Sequence, residues 1–102
     1  LINFGSSIQY QHDFFLSFDR LNLNKTKYLV FTSTPISLSK TYLSKQSNHT
    51  NLIQKIYSFE YLIKKLKSKR FNLIFKSRNE DRYIACTKKL YKTYSLNLVF
   101  KK

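Results

Sequence analysis

The sequence predicts one small α+β domain, because a strongly amphipathic helix lies between short segments that have the composition of β-strands. The chain has 102 residues, which is enough for a single domain. It contains no internal repeat. Its one glycine and one proline exclude a flexible linker that would divide it. The elements are therefore expected to pack around one core.

The first half of the chain predicts one strand and leaves the type of its N-terminal element open. Residues 28–32 are β-branched and aromatic, and they predict a strand that stops at Thr34-Pro35. Residues 35–49 are polar with scattered apolar side chains, which predicts a loop with extended flanks. Before these segments, four apolar residues could line either a helix or a strand: Ile8, Phe14, Phe15 and Phe18.

The clearest element is a helix over residues 58–67. Ser58 is a suitable N-cap, and Glu60 lies in the first turn, where the helix dipole favours an acid. Just before it, residues 52–56 are short and apolar enough to end a strand. Apolar residues at i, i+3, i+4 and i+7 form one stripe, which is expected to pack on a sheet: Phe59, Leu62, Ile63 and Leu66.

Two more strands are expected after the helix. The alternation in residues 71–76 predicts a strand with two sets of side chains on opposite faces. One set is Phe71, Leu73 and Phe75, and the other is Asn72, Ile74 and Lys76. Near the C-terminus, apolar residues at every second position predict a half-buried strand. They are Tyr94, Leu96, Leu98 and Phe100.

Charge is the strongest functional signal. Lys and Arg total 19 against 5 Asp and Glu, so the formal net charge is +14. A compact chain with this charge repels itself unless an anionic partner neutralises it, and the candidates are nucleic-acid phosphates and anionic membrane surfaces. The hydrophobic fraction of 42% excludes a disordered basic tail. A merely solvated basic face is disfavoured, because the acids are too few to pair with the bases.

The basic residues predict an RNA-binding surface in the second half of the chain. The candidate residues are Lys64, Lys65, Lys67, Lys69, Arg70, Lys76, Arg78, Lys88, Lys89 and Lys92. Tyr83, Tyr91 and Tyr94 are interleaved with them. Tyrosine rings in such a position pack against ribose or bases, with core packing as the alternative.

The sequence favours a non-enzymatic protein without cofactor, metal or small-molecule substrate. His12 and His49 are the only histidines, and the five acids have no catalytic spacing. A single cysteine, Cys86, excludes an internal disulfide and a multi-cysteine zinc site. The only glycine, Gly5, excludes a glycine-rich phosphate loop. No window approaches the roughly 18 apolar residues that a membrane-spanning helix needs.

The composition also indicates where the gene lies. Lys, Asn, Ile, Tyr, Phe, Leu and Ser dominate, and their AT-rich codons are typical of an AT-rich organellar genome. The first residues contain Asp13 and no Arg before Arg20, which is unlike a transit peptide. We therefore expect a protein of the mitochondrial matrix that is made inside the organelle or has already been cleaved.

Two short motifs are similar to those of a known family. Residues 28–33 read Tyr-Leu-Val-Phe-Thr-Ser, with Pro35 shortly after them, and residues 48–54 read Asn-His-Thr-Asn-Leu-Ile-Gln. With the helix and strand that follow, residues 28–76 resemble the S-ten family of small-subunit ribosomal proteins. Residues 91–97 read Tyr-Lys-Thr-Tyr-Ser-Leu-Asn and give a weaker resemblance to the S-fourteen family, which belongs to the same head of the small subunit.

The S-ten resemblance implies a fold and a function. The fold is a ferredoxin-like two-layer sandwich with a shortened N-terminal half and a long projecting β-hairpin over residues 24–54. Lys40, Lys45 and His49 in the hairpin loop would contact RNA or neighbouring proteins. Residues 1–76 would form the S-ten-like domain, and residues 77–102 a basic C-terminal extension. The implied function is that of a structural constituent of the mitochondrial small ribosomal subunit, bound to ribosomal RNA and neighbouring ribosomal proteins.

Two other functions remain open. An accessory subunit of a respiratory-chain complex at the inner-membrane surface would need an amphipathic helix with a wide apolar face rimmed by Lys. Residues 58–67 meet this requirement only in part. A fragment of an intron-encoded nuclease or maturase would need an acidic metal site, which the scarce carboxylates do not supply.

Overall fold

The structure is a computed structural model, and it describes residues 1–5, 7–11, 13–45, 52–79 and 92–102. Three candidate RNA-binding residues lie outside the described residues: His49, Lys88 and Lys89. His12 and Cys86 also lie outside them.

A mixed α+β fold is observed, with a six-stranded sheet and two α-helices. The strands are β1 (Ile2–Asn3), β2 (Tyr28–Ser37), β3 (Tyr42–Lys45), β4 (Ile53–Ser58), β5 (Asn72–Arg78) and β6 (Thr93–Lys101). The helices are α1 (Phe14–Phe18) and α2 (Phe59–Ser68), with a short 3₁₀ helix at Ile8–Tyr10. The strand order is β3-β4-β2-β6-β5, and β1 pairs with β2.

The topology is organised by the crossover from β4 through α2 to β5. β4 is parallel to β2, and β6 is antiparallel to both β2 and β5. β4 and β5 are therefore parallel to each other, and β2 and β6 lie between them. Helix α2 crosses these two central strands on one face of the sheet. Since β1 is also parallel to β2, the connection through α1 is a second crossover.

One hydrophobic core lies between this face of the sheet and the helices. The sheet contributes Leu29, Phe31, Leu96, Leu98 and Phe100, and the helices contribute Phe14, Phe15, Phe18, Leu62 and Leu66. Aromatic rings fill much of the space: Phe31 packs edge-to-face on Phe100 at 5.6 Å between ring centroids. Such pairs contribute beyond the area they bury, which suits a small domain with few apolar residues to spare.

The predicted helix is confirmed. The Ser58 hydroxyl accepts a hydrogen bond from the Tyr61 N–H at 3.3 Å, and Leu62 and Leu66 are fully buried. The helix ends in a Schellman motif, in which the Phe71 N–H donates to the Leu66 carbonyl. Arg70 occupies the left-handed position of this motif with φ of 70°.

The N-terminal region, whose element type the pattern left open, contains the short helix α1. The Asp13 carboxylate caps it by accepting hydrogen bonds from Phe15 N–H at 3.1 Å and Leu16 N–H at 3.2 Å. The spacing of Phe14, Phe15 and Phe18 then places all three rings in the core. In this region, the cap and the ring spacing together select a helix.

The expected hairpin over residues 24–54 is not observed. β2 continues through Pro35 to Ser37, and it is parallel to β4 rather than antiparallel. Pro35 fits because it lies beside an irregularity of the β2–β6 ladder between Phe31 and Thr34. The segment predicted as a loop instead forms β3, whose residues alternate between buried and exposed, and the hairpin joins β3 to β4.

The expected alternation in residues 71–76 is wrong after Leu73. Leu73 pairs with Phe100, but the next pair is Phe75 with Val99, so β5 carries a bulge. The extra residue moves Phe75 from the core face to the opposite face and brings Lys76 onto the helix face. A bulge depends on the partner strand, so alternation within one segment does not reveal it.

The boundary at residue 76 also differs from expectation. Residues 93–101, assigned to a C-terminal extension, form β6, which lies between β2 and β5. Leu98 and Phe100 from this strand are fully buried in the core. The strand itself was predicted correctly, and its place in the middle of the sheet makes it part of the domain.

Candidate nucleic-acid interface

A groove lies between the start of α2 and the C-terminal end of β5. We call it the β5 groove, and it has a volume of about 340 Å³. It is lined by Leu38, Phe59, Lys76, Ser77, Arg78, Tyr94 and Leu96. Residues far apart in the sequence meet here, because β5 pairs with β6 and α2 begins directly above them.

Two aromatic rings in the β5 groove each lie beside a cation. The Arg78 guanidinium carbon is 4.3 Å from the centroid of the Tyr94 ring, and the Lys76 Nζ is 5.3 Å from that of Phe59. Both cations are exposed and both rings are half-buried. Register explains the arrangement: Arg78 pairs with Leu96 and Lys76 with Leu98, so the bulge in β5 places both cations on the helix face.

Acidic side chains do not neutralise the β5 groove in the part of the chain that the structure describes. Asp13 is engaged as the cap of α1. Asp19 forms an ion pair with Lys69, in which the Lys69 Nζ lies 3.1 Å from the Asp19 Oδ1. The positive end of the α2 dipole also lies at the groove, since Phe59 is the first residue of the helix. Glu60 in the same turn offsets part of that field. The groove is therefore suited to an anionic ligand that also offers a flat ring or a sugar.

The basic cluster predicted at the end of α2 is divided by the fold. Lys64, Lys65 and Lys67 lie on the exposed side of the helix. Lys69 and Arg70 lie at its C-terminal end, where they meet Lys102 around a second groove of about 320 Å³. Ten helical residues span about 15 Å. Lys76 and Arg78 lie at the opposite end of the helix from Lys69 and Arg70, although only six to nine positions separate them in the sequence.

Three further candidates lie at other places. Lys92 is exposed and its carbonyl accepts a hydrogen bond from the Leu38 N–H at 2.7 Å, which places its backbone beside the β5 groove. Lys40 is exposed just after β2. Lys45 lies at the end of β3, the outermost strand on the other side of the sheet. Four strand spacings separate β3 from β5, or about 19 Å.

Sequence reasoning missed four residues that line the β5 groove: Leu38, Phe59, Ser77 and Leu96. Phe59 was assigned only to the apolar stripe of the helix, yet it is half-buried and also lines the groove. Leu38 was one of the scattered apolar residues of a predicted loop, and it is 53% exposed at the groove rim. The adjacent serines and lysines around Leu38 carry no signal that it faces Tyr94.

A second polar feature is the buried phenol of Tyr57, which supports the core rather than a ligand. The Tyr57 hydroxyl accepts a hydrogen bond from the Phe14 N–H at 3.1 Å, at the start of α1. Burial raises the pKa of the Tyr57 phenol, and the nearby Asp13 charge acts in the same direction. The hydrogen bond from Phe14 opposes this effect without cancelling it.

The described residues also bear on metal sites and on membrane-spanning helices. Within them, no three His, Cys, Asp or Glu side chains are grouped so that they could hold a metal ion. None of the helices in the described ranges is long and apolar enough to cross a membrane.

Comparisons with known proteins give no match for this chain. This holds for protein-family models, for curated proteins and for solved structures.

Proposed function

We propose that this chain is a structural protein of the mitochondrial small ribosomal subunit, bound to ribosomal RNA and to neighbouring proteins of the subunit head. The observation that carries the proposal is the β5 groove. In this groove, Lys76 and Arg78 have no acidic partner among the described residues, and each lies over an aromatic ring. The whole chain also has an excess of unneutralised positive charge, since its formal net charge is +14.

The mechanism is neutralisation and positioning rather than catalysis. Lys and Arg side chains displace counterions from RNA phosphates, and this release favours binding. The Arg78 guanidinium is planar and donates two parallel hydrogen bonds to a phosphate while its face remains on Tyr94. The exposed lysines of α2 and those at its C-terminal end would contact further RNA segments. One small domain then holds several RNA segments together.

The topology agrees with the resemblance to the S-ten family only in part. Ferredoxin-like sandwiches are built from split β-α-β units, in which one antiparallel strand lies between the two parallel strands. The β4-α2-β5 unit is also split and is built mostly from the residues that the resemblance covers, but two strands, β2 and β6, lie between its outer strands. The proposed fold is a variant of the ferredoxin-like sandwich with a rebuilt N-terminal half and one more strand between the parallel pair. In this variant, the short hairpin of β3 and β4 takes the place of a long one.

The alternative of an accessory respiratory-chain subunit at a membrane surface has less support. Such a protein would insert the apolar face of an amphipathic helix into the bilayer interface. The apolar stripe of α2 is engaged in the core, where Leu62 and Leu66 are fully buried. Only the lysine-rich side of this helix is exposed, and it suits phosphates of RNA as well as those of lipids.

Salt dependence of RNA binding tests the role of the β5 groove. Lys76→Gln combined with Arg78→Gln should weaken binding to small-subunit ribosomal RNA. It should also make the slope of log affinity against log salt shallower by about 0.7 to 0.9 per lost phosphate contact. The measurement is a fluorescence-anisotropy titration at several salt concentrations. Arg20→Gln with Lys25→Gln is the matched control, because it removes the same two charge types from exposed positions outside the groove.

The two double variants have clear outcomes. A slope near zero for the unmodified chain would remove the RNA-binding proposal altogether. Equal losses in both variants would mean that charge acts without a specific groove. The ribosomal assignment itself is tested by co-sedimentation with mitochondrial small subunits after a high-salt wash, where absence from the subunit fraction would contradict it.

A further inference from the structure

The sheet has a second face, opposite the helices, and part of it is open. We call this part the open-face platform, and it consists of Tyr28, Val30, Ile74, Phe75, Val99 and Lys101. Val99 lies between the core residues Leu98 and Phe100, so its side chain points to the other side of the sheet. Its partners Val30 on β2 and Phe75 on β5 share that side, and so does the next pair, Tyr28 with Lys101.

The bulge in β5 gives the open-face platform an unusual concentration of exposed apolar surface. Ile74 and Phe75 together oppose Val99, and they are 55% and 53% exposed. Without the bulge, Phe75 would face the core like Leu73. Exposing two large apolar side chains at one place is unfavourable for an isolated domain, and such patches mark binding sites.

Charge indicates what covers this face. The open-face platform contains no acid, Lys101 lies between the strands that carry the two rings, and the Lys27 Nζ is 5.8 Å from the centroid of Tyr28. A second copy of the chain would bring another net charge of +14 against it. An anionic partner that offers flat apolar surfaces fits both properties, and unpaired nucleotides have this combination.

We propose that the open-face platform binds an unpaired RNA segment, with bases stacked on Phe75 and Tyr28 and a phosphate held by Lys101. This inference rests on the proposed RNA-binding function and adds a second surface of a different kind. Duplex RNA presents phosphates but keeps its base faces stacked inside the helix, so it gains nothing from these rings. The β5 strand then serves two surfaces, with Lys76 and Arg78 on the helix face and Phe75 on the open face.

The test compares two substitutions of one exposed ring. Phe75→Leu keeps an apolar side chain but removes the aromatic face, and Phe75→Tyr keeps the aromatic face. Affinity is measured by fluorescence anisotropy with a labelled oligouridylate and, separately, with a blunt RNA duplex of the same length. We expect Phe75→Leu to weaken oligouridylate binding by about 5- to 150-fold, the range for loss of one base–ring stack. Phe75→Tyr should bind almost as the unmodified chain does, and duplex affinity should change in neither variant.

The outcomes separate this inference from the proposed function. If both RNAs bind but Phe75→Leu has no selective effect on the oligouridylate, the open-face platform does not stack bases, and the RNA-binding proposal stands. If Phe75→Leu weakens both RNAs equally, the inference is also overturned, because a stacking site would spare the duplex. If neither RNA binds at any salt concentration, both proposals fail. Unchanged circular dichroism of the variants excludes misfolding, as expected for a side chain that is 53% exposed.

Discussion

Burial sorts the aromatic residues of this chain into two groups. Phe14, Phe18 and Phe31 are almost completely buried, and the Phe14 ring packs on Phe18 at 5.6 Å and on Phe31 at 6.0 Å between ring centroids. Their only role in the described structure is to stabilise the core. Tyr94 is half-buried beside Arg78, and Phe75 is exposed on the other face. A ligand can reach the second group, so substitutions there test binding with little effect on folding.

The Tyr57 hydroxyl gives a prediction at the scale of one residue. Tyr57→Phe should destabilise the chain by about 1 to 3 kcal/mol near neutral pH, because the Phe14 N–H would be left buried without its acceptor. The measurement is urea unfolding followed by circular dichroism. Phe15, which packs on the same ring at 5.6 Å, should stay buried in the variant, so lost packing makes a minor contribution.

The same substitution has a predicted pH dependence. The folded pKa of Tyr57 lies above the ordinary value of 10.0, so the unfolded chain loses its proton first as pH rises. The stability that depends on a neutral Tyr57 is fully present below pH 10 and is lost as pH rises through the folded pKa. The stability difference between the unmodified chain and Tyr57→Phe should therefore shrink above pH 10. The two proteins share every other side chain, so a stability difference that stays constant above pH 10 would contradict the raised pKa of Tyr57.

At the scale of elements, local sequence signals predicted α2, but they did not predict the irregularities of β2 and β5. The cap at Ser58 and the stripe that contains Leu62 depend only on neighbours in the sequence. The irregularity of β2 depends on β6, since the Ser33 N–H donates to the Asn97 side chain at 2.9 Å. Asn97 in turn donates to Asn79 at 2.8 Å. Hydrogen bonds over such sequence distances leave no trace in a local pattern.

The candidate site likewise has features that local sequence predicts and features that depend on long-range strand pairing. The sequence predicted that Lys76, Arg78 and Tyr94 belong to a basic surface with interleaved aromatic rings, because few acids offset a net charge of +14. Their meeting in one groove was not predictable, because it needs the bulge in β5 and the pairing of β5 with β6. The separation of Arg78 from Arg70 was missed for the same reason.

The C-terminus of α2 gives a prediction at the scale of elements. Arg70→Gly should stabilise the chain by about 1 kcal/mol. Glycine removes the strain of roughly 1 to 2 kcal/mol that a residue with a Cβ has in the left-handed conformation of Arg70. Part of this stabilisation is offset, because glycine also gives the unfolded chain more conformational freedom. Urea unfolding measures the change. Arg70→Ala is the control, because it removes the same charge but keeps a Cβ in the left-handed backbone conformation. A similar gain in stability in both variants would mean that the lost charge is the cause.

At the scale of the whole molecule, the fold spreads its cations around the domain instead of collecting them at one point. Lys76 and Arg78 lie at one end of α2, Arg70 and Lys102 lie at the other, and Lys45 lies on the opposite edge of the sheet. This distribution lowers self-repulsion, which a single dense cluster would raise. It also suits a protein that contacts several RNA segments at once.

Self-repulsion gives the last prediction, which concerns salt and folding of the free chain. The Debye length is about 30 Å at 0.01 M salt and about 3 Å at 1 M. The molecule extends over 41 × 26 × 20 Å, so at low salt most of its cations repel one another. The urea midpoint of the free chain should therefore rise with sodium chloride, while its RNA affinity falls over the same range.

These opposite salt dependences distinguish a charge-limited fold from an ordinary small domain. Urea is the denaturant because it is uncharged and leaves the ionic strength unchanged. Lys64→Gln combined with Lys67→Gln lowers the charge of the exposed side of α2, so this variant should start from a higher midpoint and gain less from salt. A midpoint that does not change with salt in either protein would mean that self-repulsion is weak. The need for an anionic partner would then have to arise from the local charge of the β5 groove alone.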